Sequence, residues 1–306
     1  LGALVPTAVG SMMGIPVLSS RRGRKVGQLL VGASVGMYVS VDAVEHIGRW
    51  FPVMILTAIV SVLISAVVCV AFARVNGTNL PTAFFSMTPG GLSEMAFTGE
   101  REGARREIVT MSHTIRVALI VTIMPFLLLK FGTDGGLMQQ GHGMETLSPD
   151  RVVIILAVAA LSVFLVSRTG VNNPWMIGAL LGAGIVASMG YIEGRMPYPL
   201  FALGQFLMGI SIGSGFKRDM LTKAPRIFAT SALFVLAMTA LLFGYAALVH
   251  WATGIDLSSM TLAASPGGQA EMALTAQALH LNVALITAFH VIRSFTVNAF
   301  SLQFYR

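Results

Sequence analysis

Pro89-Gly90-Gly91-Leu92-Ser93-Glu94-Met95-Ala96-Phe97-Thr98 and Pro266-Gly267-Gly268-Gln269-Ala270-Glu271-Met272-Ala273-Leu274-Thr275 are one pattern written twice, 177 residues apart. Without a gap, the same offset pairs Gly27 with Gly204, Gln28 with Gln205, Gly32 with Gly209 and Gly36 with Gly213. It also pairs Asp42 with Asp219, Thr110 with Thr287, His113 with His290 and Arg116 with Arg293. Chance does not hold such a register, so the chain is a duplication. One residue of slippage adds Gly2-Ala3-Leu4 against Gly178-Ala179-Leu180. The sequence divides into a first repeat over 1–131, a polar linker over 132–150 and a second repeat over 151–306.

The repeated unit is apolar. Of 306 residues, 55% are hydrophobic and only 11% charged, against about 25% charged in soluble domains. A mean hydropathy of +0.78 and 32 glycines fit helices packed closely within a bilayer. The 20 basic residues outnumber the 13 acidic ones for a net charge of +7. They gather in short loops between apolar runs, which sets membrane orientation and excludes a nucleic-acid partner. Cys69 is the single cysteine, so there is no intrachain disulfide, and it reads as a packed core thiol.

In the second repeat apolar runs a to f fall near 151–167, 174–192, 199–216, 225–251, 257–280 and 283–304. In the first, b to f fall near 1–18, 26–41, 50–73, 79–98 and 107–129, and run a is expected before Leu1. The first repeat carries its positive loop between b and c (Arg21, Arg22, Arg24, Lys25); the second carries it between c and d (Lys217, Arg218, Lys223, Arg226). Basic loops face the cytoplasm, so run c crosses in opposite senses in the two repeats. That needs one run per repeat to enter and leave on the same side. Run e is the candidate, because Pro removes a backbone donor and Gly is conformationally loose. Arg74, Arg101, Arg105, Arg106, Arg168 and Arg306 then fall inside, and the linker acids Asp134, Glu145 and Asp150 outside. Broken backbone at membrane depth is tolerated only against protein or a water-filled cavity, so run e is expected to line one.

Glu94 and Glu271 follow the two breaks. An uncompensated charge at mid-helix costs about 2.5–3.5 kcal/mol on the insertion scale, so each needs a partner or a proton. In run f, Thr110, His113 and Arg116 are spaced by three, as are Thr287, His290 and Arg293, which puts each trio on one helical face. The expectation is that Glu94 or Glu271 meets a His/Arg face. One reading is a substrate or ion site between the repeats, with broken helices offering amides to an anion and carbonyls to a cation. The other is a buried ion pair that fixes packing.

The Gly27, Gly32 and Gly36 stripe with Gln28, and its mates, read as close helix packing. Asp42 and Asp219 read as solvated caps, and Trp50, Trp175 and Trp251 as interfacial anchors. The six histidines show no metal-ligand spacing, and there is no phosphate loop or nucleophile elbow. No metal site, cofactor or enzymatic activity is expected.

At Thr88-Pro89-Gly90-Gly91-Leu92-Ser93-Glu94-Met95-Ala96 and Ser265-Pro266-Gly267-Gly268-Gln269-Ala270-Glu271-Met272-Ala273, each followed by the His/Arg helix, the chain resembles the AbrB-type bacterial membrane proteins. That family is named for a duplicated unit and is often labelled ammonia monooxygenase or regulator of gene expression. The likeness covers essentially the whole chain; Gln269-Ala270 stands where the first copy has Leu92-Ser93. The family is similar to inverted-repeat antiporters and bile-acid-type symporters with crossed broken helices, which implies a secondary carrier. The soluble DNA-binding regulator that shares the name has nothing in common with this sequence.

The expectation is an all-α, polytopic membrane protein of two homologous inverted repeats, each with about five spanning helices and a broken or re-entrant Pro-Gly-Gly helix, in the bacterial cytoplasmic (inner) membrane. Its partners are a small-molecule or ion substrate and the lipid bilayer, and a homo-oligomer is compatible with it. The expected function is alternating-access transport of a small polar or anionic solute, coupled to a proton or cation. The expected binding residues are Pro89, Gly90, Gly91, Glu94, His113 and Arg116 with their mates Pro266, Gly267, Gly268, Glu271, His290 and Arg293. The alternatives are a membrane sensor that regulates gene expression through a partner and, less favoured, a membrane monooxygenase.

Overall fold

The computed structural model describes residues 3–15, 20–38, 41–131, 145–170, 173–192, 194–215 and 224–305, and among these the chain is helical with no strand. Most of the linker lies outside the described residues, as do Asp134, Lys217, Arg218, Asp219, Lys223 and Arg306 and the side chain of Asp42. The readings of those residues as caps or as charges fixing the orientation therefore belong to the sequence alone.

The first repeat comprises α1 (Leu4–Met12), α2 (Arg21–Gly36), α3 (Val41–Asn76), α4 (Leu80–Met87), α5 (Leu92–Arg101) and α6 (Arg106–Phe131). The second comprises α7 (Pro149–Val166), α8 (Pro174–Ser188), α9 (Tyr198–Gly213), α10 (Pro225–Thr253), α11 (Leu257–Ala264), α12 (Gln269–Ala278) and α13 (Val283–Tyr305). α2 and α9, α4 and α11, and α5 and α12 begin and end 177 residues apart. The capping chemistry repeats too. Asn79 Oδ1 accepts from the Thr82 amide to start α4, and at the same place Asp256 Oδ2 accepts from the Ser259 amide to start α11, each satisfying an amide the helix itself leaves free.

Among the described residues, four helical stretches are long and apolar enough to cross a membrane: Gly48–Asn76, Arg106–Lys130, Pro149–Val166 and Pro225–Thr253. They carry outward-facing apolar side chains, among them Leu63 and Val67 on α3, Leu161 and Phe164 on α7, and Leu233 and Leu248 on α10. The expected five crossings per repeat therefore meet helices of two lengths. α8 and α9 have 15 and 16 residues, about 22–24 Å at 1.5 Å per residue. Pro174 at the start of α8 and Gly190 (φ 71°) just beyond its end mark those limits.

Packing cuts across the two repeats. α2 lies against α8 and α9, and α1 against α9, while α7 covers α8 from within the second repeat. The glycine stripes allow this: a Cβ on Gly32 would come within 2.6 Å of Met176 O, and one on Gly36 within 2.5 Å of Leu180 O. In the remaining helices α3 packs on α13 and α10 on α6, so each repeat's long helix holds the other repeat's His/Arg helix. Hydroxyls bond α10 to both first-repeat helices, Tyr245 OH to Thr57 Oγ1 of α3 at 3.0 Å and Ser231 Oγ to Ser112 Oγ of α6 at 2.9 Å. Cys69 is buried, and its thiol donates to Ala66 O.

Candidate substrate and ion site

Each run e is two short helices joined at Pro-Gly-Gly. α4 ends at Thr88, whose hydroxyl donates back to Phe84 O at 2.8 Å; α11 ends at Ser265, whose hydroxyl donates to Leu262 O at 2.8 Å. α5 and α12 restart with Gly91 and Gly268 as N-caps, which have no side chain to offer the free amides. Pro89 and Pro266 are buried in the turns.

The glycines of the motif have separate roles. A Cβ on Gly90 would strike the Met95 side chain, and one on Gly267 would strike Met272. A Cβ on Gly91 or Gly268 would instead occupy the place of a carboxylate oxygen of Glu94 or Glu271. Each glutamate, third in its helix, folds back over its own N-cap, as the acidic member of a capping box does. Pro-Gly-Gly-x-x-Glu-Met is thus a description of one local packing unit.

Arg116 and Arg293 close the other side of each break. Arg116 Nη1 donates to Thr88 O at 2.8 Å and Met87 O at 3.3 Å, and Nη2 to Gly90 O at 3.4 Å and His113 Nδ1 at 2.8 Å. Arg293 Nη1 donates to Ser265 O, while its Nη2 donates at 2.9 Å to both Gly267 O and His290 Nδ1. The histidines complete the chain: His113 Nε2 donates to Phe85 O at 2.8 Å and His290 Nε2 to Leu262 O at 3.0 Å. Arginine has only donors, so Nδ1 of both rings carries the lone pair and Nε2 the proton. Both arginines are 3% exposed.

The glutamates do not meet these arginines in the way their spacing suggests. Among the described residues neither Glu94 nor Glu271 forms an ion pair with Arg116 or Arg293. The arginines instead neutralise the carbonyl ends of α4 and α11, while the glutamates sit at the amide ends of α5 and α12. Each charge lies at the helix end whose dipole attracts it. The two sites are neighbours, since the Cβ position of Gly267 is 2.9 Å from the Ile120 side chain, one turn beyond Arg116, and α12 packs on α6. Residues the sequence reading passed over are Thr88, Ser265, Met95 and Met272. Their shared offset of 177 was the signal available.

A family profile described as "Transition state regulatory protein AbrB" matches residues 1–306. The chain belongs to the AbrB family. It is 29% identical over 304 residues to "Uncharacterized protein YhjN" of Bacillus subtilis (strain 168), covering 94% of this chain and 79% of that protein. It is 24% identical over 304 residues to "Putative regulator AbrB" of Escherichia coli (strain K12), covering 97% of this chain and 86% of that protein. The AbrB match spans both repeats and so includes both Pro-Gly-Gly breaks.

Proposed function

We propose that this AbrB-family protein is a multi-pass secondary transporter of the bacterial cytoplasmic membrane. It moves a small polar or anionic solute by alternating access between two inverted repeats, coupled to a proton or cation. One observation carries the reading: two neighbouring helix breaks, each with a buried arginine on its carbonyl end and a glutamate folded over its amide end. Discontinuous helices at a repeat interface are how carriers present amides and carbonyls to a solute within the bilayer.

In this mechanism Arg116 and Arg293 hold the broken backbone, with His113 and His290 fixing their orientation. Glu94 and Glu271 take the coupling proton or cation. Pro89, Gly90 and Gly91 with Pro266, Gly267 and Gly268 bring backbone close to the solute.

The test is solute-triggered proton movement in vesicles loaded with a pH-sensitive dye and challenged with nitrate, phosphate, succinate, glutamate and spermidine in turn. The wild type should respond to one of them, and Glu94→Gln and Glu271→Gln should not. Normal responses from both variants remove the glutamates from the mechanism. A second reading, a membrane sensor acting through a partner, is favoured by the name printed for the Escherichia coli relative. It predicts no flux and a protein that copurifies through the basic loops.

A further inference from the structure

The two breaks differ at the residue that opens the second helix. Gln269 opens α12 where Leu92 opens α5. Gln269 is 8% exposed, and among the described residues its Nε2 has no hydrogen-bond partner. Arg293 Nε at the same break is also buried without a partner, while Arg293 Nη2 is anchored on Gly267 O, next to the N-cap of α12. Arg116 Nε repeats that feature at the first break, but no amide side chain accompanies it there. Among the described residues, only the second break therefore combines an unpaired arginine Nε with an unpaired side-chain amide on the first residue of the ten-residue helix that follows it. An unpaired buried donor costs about 1–3 kcal/mol, and what satisfies donors around a helix N-terminus is an anion.

The carboxylate of Glu271 already lies over that N-terminus. On the elements packed around it, Arg293 of α13 and Arg116 of α6 hold the two breaks, and Arg24 of α2 acts on Glu271 across the helix interface; the other charges of α6 and α2 lie at helix ends, Arg106, Glu107 and Lys130 on α6 and Arg21, Arg22 and Lys25 on α2. The histidines of those elements, His290 and His113, are neutral tautomers held by the arginines. α11 contributes no charged or titratable residue. With Glu271 ionised, its charge offsets Arg293; with Glu271 protonated, the break carries an unbalanced positive charge.

We propose that the second break binds a planar oxyanion of one negative charge, of the carboxylate class, at the N-terminus of α12 between Gln269 Nε2 and Arg293 Nε, in competition with the ionised Glu271 side chain. Anion and proton then load together, and the pair is electroneutral. This rests on the carrier reading and names its solute class and coupling rule. The first break, with Leu92, lacks the amide donor and is not the anion site.

The experiment measures equilibrium binding of nitrate and of formate to the full chain in nanodiscs between pH 5.5 and 8. In the wild type the dissociation constant should rise about tenfold per pH unit once Glu271 is ionised, as one linked proton requires. Glu271→Gln should bind both anions with no pH dependence. Gln269→Leu, which copies the first break and so suits the fold, should bind at least about tenfold more weakly, the loss of roughly one hydrogen bond to a charged group, and keep the slope. A flat wild-type profile, a retained slope in Glu271→Gln, failure of that variant to bind, or unchanged binding in Gln269→Leu each overturns the proposal. The assay needs no transport, so binding without flux counts against the carrier and not against the anion site. Flux of a cationic solute without nitrate binding does the reverse.

Discussion

Arg293 repeats, 177 residues later, the hydrogen bonds of Arg116: Thr88 O and Gly90 O are matched by Ser265 O and Gly267 O, and His113 Nδ1 by His290 Nδ1. The arginines are parts of the backbone at the breaks as much as side chains. Common descent explains the repetition, and the unmet carbonyls that follow any helix break explain why both copies keep a donor there.

Replacing Arg116 or Arg293 by Met should cost about 3 kcal/mol or more, because several buried carbonyls lose their donors together. Lysine should recover part of this, since it keeps the charge but not the planar fork. Thermal unfolding of the purified protein measures both. A Met variant as stable as the wild type would show that water replaces the guanidinium.

Gly36→Ala should destabilise by about 1–3 kcal/mol through overpacking, since its Cβ would lie 2.5 Å from Leu180 O and 2.8 Å from Ala183 Cβ. Gly244→Ala, in open space within α10, should be neutral or stabilising by up to about 1 kcal/mol. Equal unfolding midpoints for the two variants would contradict the α2–α8 contact.

Spectra of protein labelled with 15N-histidine should show His113 and His290 as neutral rings protonated at Nε2, as their arginine and carbonyl partners require. Assignment comes from comparison with His113→Gln and His290→Gln. An imidazolium at either site would break the proposed Arg–His arrangement.

After replacement of Cys69, single cysteines introduced at Gly23 and at Arg226 should both react with an impermeant thiol reagent from the cytoplasmic side. Gly23 lies in the first turn of α2 and Arg226 in the first turn of α10, each within one of the two basic segments. Labelling from opposite sides would refute the proposed inverted arrangement of the repeats.

Membrane character, duplication and the places of the breaks were all legible in the amino-acid order. Hydrophobic runs, an offset that never drifts and Pro-Gly-Gly are local properties, and local rules decide where a helix starts, stops or breaks. The Gly32 and Gly36 stripe likewise announced close packing before any partner was known. Which partner it met, α8 of the other repeat, was a matter of three dimensions. So was the fate of Glu94 and Glu271. Their spacing put them beside the His/Arg helix, but each carboxylate found the amide end of its own helix while the arginines found carbonyls. That choice depends on which buried polar group lies nearest once the chain is packed, and no spacing along the chain encodes it.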